Sequence, residues 1–205
     1  MRHGEVHNPQ RVLYGRLPHF GLSEDGRRMA RSAAEHIASL DRPVTALVSS
    51  PLQRTRESSE PFTEVFGLDP VIDERVIEPH NVFEGRRMRH AMVNPLNWRH
   101  LRTPATPSWG EPYIEIVARM DAAMRDLWQA MESGDAVIVS HQLPIWITHL
   151  AIAGQPLRHD PRRRRCALSS VTSFELGDGG ADATWREVAY AEPASTAGAV
   201  DVGAV

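Results

Sequence analysis

The chain has 205 residues, 41% of them hydrophobic and 24% charged, which suits one domain burying about 70% of its unfolded surface. A net charge of −3 argues against a general nucleic-acid binder, and no apolar run approaches the ~20 residues of a membrane helix. No signal-peptide pattern is read ahead of Arg2, and the one cysteine, Cys166, cannot pair internally, so the expected location is cytoplasmic.

All 23 cationic side chains are arginine. That excludes a lysine-bearing phosphate loop and Schiff-base chemistry, and it leaves guanidinium as the strong phosphate clamp.

Arg2-His3-Gly4-Glu5 sets an imidazole beside a guanidinium and a glycine, a backbone suited to close approach by an anion. Residues 5–22 read as a loop broken by Asn8, Pro9, Gly15, Pro18 and Gly21. Ser23 is an N-cap for a helix to about Leu40, with Met29, Ala33, Ile37 and Leu40 on one face. Val44–Val48 reads as a buried parallel strand ending in Ser49-Ser50-Pro51, and a helix then carries Arg54 in its first turns to about Phe66. A strand end feeding a helix N-terminus favours an anion, and Arg54 adds charge there. Arg56 reads as a solvated helix residue.

Pro70–Ile77 is expected to be extended, delivering Glu78 ahead of Phe83-Glu84-Gly85. Residues 86–109 are rich in arginine and histidine. His80, His90 and His100 lie too far apart for a metal-ligand motif, so no metal or other cofactor is expected. Val117, Met120, Met124, Leu127, Trp128 and Met131 mark a helix with a core stripe. Ala136–Ser140 is the next buried strand, ending at His141, and a helix follows over 145–153. His149 is placed at the edge of the core. Arg162–Arg165 is a basic run, read as a solvated loop or as a second anion clamp. Strands are expected at Leu168–Leu176 and Trp185–Tyr190. Residues 192–205 read as a disordered tail and 1–191 as a single domain.

Four blocks stand out in this order: Arg2-His3-Gly4, Ser50-Pro51-Leu52-Gln53-Arg54, Glu78 with Phe83-Glu84-Gly85, and Ser140-His141. Together they resemble the histidine phosphatase (phosphoglycerate mutase-like) superfamily, over residues 2 to about 176. The resemblance implies an α/β three-layer sandwich, a mostly parallel central sheet flanked by helices. Family members run an apolar strand into Arg-His-Gly, so the first central strand is expected to be truncated here.

The resemblance also implies His3 as the phosphoryl-accepting nucleophile, with Arg2, Arg54 and His141 binding the phosphoryl oxygens and Glu78 as acid–base. Glu74 and Glu84 remain rivals for that last role. Asn8 matches an asparagine near the phosphoryl group, with turn formation as its alternative. Gln142 stands where the family has glycine, keeping a backbone donor and adding a side chain toward substrate.

The expected function is metal-independent hydrolysis of a small phosphorylated metabolite through phosphohistidine at His3. The alternatives are mutase-type transfer and a non-catalytic phospholigand module. No nucleic-acid or membrane partner is expected, and a homodimer stays open.

Overall fold

The computed structural model describes residues 1–87, 110–177, 183–195 and 198–201. The arginine- and histidine-rich stretch holding Arg89, His90, Arg99, His100 and Arg102 lies outside them.

Three parallel strands form the centre in the order β2 (Val71–Ile72), β1 (Val44–Ser49), β3 (Asp135–Val139). β4 (Val171–Leu176) and β5 (Trp185–Ala191) form an antiparallel pair. Successive side chains on β1 and β3 point to opposite faces, and each face carries its own core. Leu47, Val137 and Val139 pack with Ala30, Ala33 and Ala34 of α1 (Glu24–Ala38) and Phe62 of α2 (Gln53–Phe66). Val48 and Ile138 pack on the other side with Ile116 and Met120 of α3 (Tyr113–Ala130) and Ile147 and Leu150 of α4 (Gln142–Ile152). The expected three layers follow from this alternation, with helices on both faces of a parallel centre.

Ser23 caps α1 by accepting from the Gly26 N–H at 2.9 Å, with Glu24 and Asp25 in the first turn. The helix stops at Ala38, so Leu40 falls outside it and is 50% exposed. The segment before Glu78 is less extended than expected: only Val71–Ile72 pairs, and Glu74–Val76 is a 3₁₀ turn capped by Asp73. The helix after His141 starts at Gln142 rather than 145. Trp128, expected in the core stripe of α3, is 47% exposed, whereas Met120 and Met124 are buried.

Met1–His3 joins the two sheets at one end. Arg2 bridges Ser140 in parallel, with Ser140 N–H donating to the Met1 carbonyl and His3 N–H to the Ser140 carbonyl. On the other side Arg2 N–H donates to Ser170 and Ser169 N–H to His3. Away from that junction β3 and β4 part around a cleft of about 530 Å³.

Candidate active site

The site lies beyond the carboxyl ends of β1 and β3, where strand-to-helix turns in parallel sheets gather polar groups. β1 ends at Ser49, and the Ser50–Leu52 turn opens α2, whose first turn holds Arg54. β3 ends at Val139, and Ser140-His141 opens α4. The Arg2-His3 segment reaches the same place through its bridge to Ser140.

Gly4 also has a packing reason. A Cβ on Gly4 would stand 2.2 Å from the Gly26 carbonyl oxygen, and one on Gly26 would stand 2.1 Å from the Glu5 carbonyl oxygen. The two glycines let the His3 loop press backbone to backbone on the start of α1. Ser58 of α2 steadies that loop from beneath, accepting the Gly4 N–H at 3.1 Å.

His3 is buried, and its Nδ1 lies 2.7 Å from the Gly4 carbonyl oxygen. A carbonyl only accepts, so Nδ1 carries the proton and Nε2 keeps its lone pair. Burial holds the imidazole pKa well below its ordinary value, with the charges of Arg54 and then Arg2 adding to the effect. The His141 ring lies 5.3 Å from that of His3, centroid to centroid, and is depressed the same way by burial, then by Arg54 and His3. His141 Nε2 lies 2.8 Å from Ser50 Oγ, and its Nδ1 faces Glu78 Oε2 at 3.7 Å.

Glu78 is buried, and desolvation raises its pKa from 4.5 to about 7 against the opposing pull of Arg54, Arg164 and Arg2. Its rivals are occupied elsewhere. Glu74 is exposed, and Glu84 Oε1 accepts the backbone N–H groups of Arg16 and Asn81.

Arg54 donates to the Gly15 carbonyl at 2.8 Å and stacks 4.7 Å above the Tyr14 ring. Arg2 donates to the Cys166 carbonyl and, as a two-pronged pair, to the carboxylate of Asp201. Among the described residues, Arg2 Nε, Arg54 Nε, His141 Nδ1 and both Glu78 carboxylate oxygens are buried and make no hydrogen bond. Buried polar atoms ordinarily have partners, so a group of orphans on four neighbouring residues fits a polar guest.

The structure thus brings Arg2, His3, Arg54, Glu78 and His141 around one centre. Asn8 is used locally: its amide donates to the Val12 carbonyl and its oxygen accepts the Val12 N–H, closing the 8–12 turn. Gln142 turns its side chain toward the Cys166 carbonyl, and its Oε1 accepts from Arg164 at 3.2 Å. The basic run splits. Arg162 pairs with Asp160, and Arg165 pairs with Glu187 above Tyr190, while Arg164 turns inward between Gln142 and His159. His149 pairs with Glu187 and stacks on Trp146 at the core edge, and Arg56 is exposed.

Sequence reasoning missed Tyr14 and Asp201, and it named Ser50 in a block without giving it a role. Tyr14 carried a signal, as a large aromatic inside a polar loop. The tail expected to be disordered reaches the site, with Val200 N–H donating to Glu5 and Asp201 holding Arg2. Nothing in its Ala- and Gly-rich composition announces that.

Residues 1–188 match the model of the histidine phosphatase superfamily (branch 1). The chain is 46% identical over 198 residues to an uncharacterized protein of Mycobacterium tuberculosis, covering 95% of each. It is 30% identical over 180 residues to a probable phosphoglycerate mutase, GpmB, of Photorhabdus laumondii, covering 83% of this chain and 82% of that one. Among solved structures it resembles a mycobacterial glucosyl-3-phosphoglycerate phosphatase in complex with VO3. There the TM-score is 0.76 and the identity 25%, over 95% of this chain and 96% of that one. With the match spanning nearly its whole length, the chain belongs to the histidine phosphatase superfamily.

Proposed function

We propose that this chain hydrolyses a small phosphate monoester through a covalent phosphohistidine on His3. The observation that carries the reading is a pairing of states. A buried imidazole is held neutral with Nε2 unprotonated, and a buried carboxyl has a pKa near 7.

A phosphate ester resists attack because its oxygens are anionic, so catalysis is chiefly charge neutralisation and in-line positioning. The incoming phosphoryl group displaces Asp201 from Arg2 and takes its place between Arg2 and Arg54, with His141 on a third side. His3 Nε2 attacks phosphorus, the P–O bond to the leaving group breaks, and protonated Glu78 gives its proton to the departing oxygen. Glu78, now ionised, takes a proton from water, which attacks phosphorus and breaks the P–N bond, releasing phosphate and restoring His3. An acid–base so placed contributes about 10²–10⁴-fold. Splitting one displacement into two is the gain from the histidine intermediate. The scheme routes no step through a metal, so activity survives EDTA.

The likeness to GpmB favours a second reading, in which phospho-His3 passes its group to a hydroxyl of the bound ligand instead of to water. One experiment separates the readings. Purified protein is incubated with phosphoglycerates, glucosyl-3-phosphoglycerate and sugar phosphates, and both free phosphate and positional isomers are measured. Phosphate release that disappears in His3→Ala supports hydrolysis. Isomer formation without release supports the mutase, and undiminished turnover in His3→Ala refutes both.

A further inference from the structure

Arg162, Arg163 and Arg165 are exposed, whereas Arg164 is half-buried and held from two sides. Its Nε–H donates to His159 Nε2 at 2.9 Å, and its Nη1 donates to Gln142 Oε1 at 3.2 Å. His159 is itself set up to accept. Its Nδ1 lies 2.8 Å from the Leu157 carbonyl oxygen, which only accepts, so Nδ1 carries the proton and Nε2 the lone pair. Tyr113 and Trp146 flank the ring, at 5.6 and 6.1 Å between centroids, and burial lowers its pKa. Both bonds therefore go to neutral groups, and they aim the guanidinium without cancelling its charge.

A short polar path ties this side chain to the phosphoryl centre. Gln142 directly follows His141 and opens α4. Its amide nitrogen lies 3.5 Å from the Cys166 carbonyl oxygen, which also accepts from Arg2 at 2.7 Å. Arg164 and Arg2 are thus joined through one side-chain amide and one carbonyl. Burial lowers the Arg164 pKa, and the Glu78 carboxyl is foremost among the groups that oppose this. In return, the charge of Arg164 acts on Glu78 more strongly than that of Arg2 does.

We propose that Arg164, aimed by Gln142 and His159, clamps a second anionic group, carboxylate or phosphate, on the alcohol half of the substrate. A planar guanidinium presents paired donors that match either anion. The inference rests on the phosphoryl-transfer reading, which puts the departing oxygen at Glu78 and so turns the alcohol half toward Arg164. Arg2 and Arg54 hold the group being transferred, and Arg164 reads what it is leaving. The side chain of Gln142 then has a use as the tether of the clamp.

The test measures calorimetric binding to the His3→Ala protein, in which no turnover intervenes. Three ligands share a phosphorylated three-carbon chain and differ at its far end. Glycerol 3-phosphate has a hydroxymethyl group there, 3-phosphoglycerate a carboxylate, and glycerol 1,3-bisphosphate a second phosphate. At least one anionic ligand should bind about 10- to 100-fold more tightly than glycerol 3-phosphate, and the larger gain identifies the anion. Adding Arg164→Gln should erase that gain. Adding Gln142→Gly, which removes the tether and keeps the charge, should reduce it by a smaller factor. Equal binding of all three ligands would overturn the proposal, as would an Arg164→Gln change that weakens all three alike, the mark of a merely structural role. Phosphate release keeps the two readings apart. Release that requires His3, with binding blind to the far end, removes the clamp and leaves the chemistry, whereas release undiminished in His3→Ala removes the chemistry itself.

Discussion

Glu78→Gln should stabilise the protein at alkaline pH while removing its acid–base. In the folded state burial raises the Glu78 pKa from 4.5 to about 7. Between those values the folded protein holds a proton that the unfolded chain has given up, so stability falls as pH rises through the window. At about 1.4 kcal/mol per pH unit, the penalty approaches about 3 kcal/mol above pH 7 and is absent below about pH 4. A glutamine of the same shape does not titrate. Its own burial cost is the same at every pH and drops out of the comparison. Urea unfolding of both proteins at about pH 5 and pH 8 should therefore show the variant gaining about 2–3 kcal/mol on the parent between them. A stability difference that stays constant with pH would refute the assignment of a raised pKa to this carboxyl.

The same pKa bears on turnover. Because the protonated form is the acid, kcat/KM for an alkyl phosphate should fall as pH rises past about 7. Glu78→Gln should lose alkyl phosphate turnover by about 10²-fold or more yet still be phosphorylated on His3 by p-nitrophenyl phosphate, whose leaving group needs no proton. Equal loss on both substrates counts against the acid role. Asp201→Asn, or a chain ending at Ser195, frees Arg2, so inorganic phosphate should inhibit up to about 10-fold more tightly; unchanged inhibition means that the tail does not compete. Gly26→Ala pushes a methyl group against the Glu5 carbonyl and should cost roughly 1–3 kcal/mol in thermal unfolding, while Ser32→Ala on the exposed side of α1 should cost little.

What could be read from the sequence was local. Val44–Val48, the Ser23 cap and the α3 stripe are short-range patterns that appear at or near their expected places, with Trp128 of the stripe turned to solvent. The Ser50–Arg54 and Ser140-His141 blocks were legible because each joins a strand end to a helix start, where a few adjacent residues define the turn. What stayed hidden depends on contacts between distant segments. Gly4 and Gly26 explain one another only once the loop meets α1, and Tyr14 gains meaning only under the Arg54 guanidinium. Spacing to Gly85 favoured Glu78 without excluding Glu74 and Glu84, and what sets it apart in the structure is burial beside His141. Asn8 was left between two readings, and the structure shows its amide closing a turn on Val12, the one that local sequence chemistry offers.

The ladder that holds His3 to Ser140 on one side and Ser169 on the other also sets a schedule for biosynthesis. The imidazole leaves the ribosome well before the backbone that fixes it, which is translated more than a hundred residues later. At about 5–20 residues per second that interval is on the order of ten seconds or more. Throughout it the nascent chain carries its histidine unburied and fully basic. The pKa depression that makes the ring a nucleophile therefore arrives late in synthesis, as the last central segments close around it.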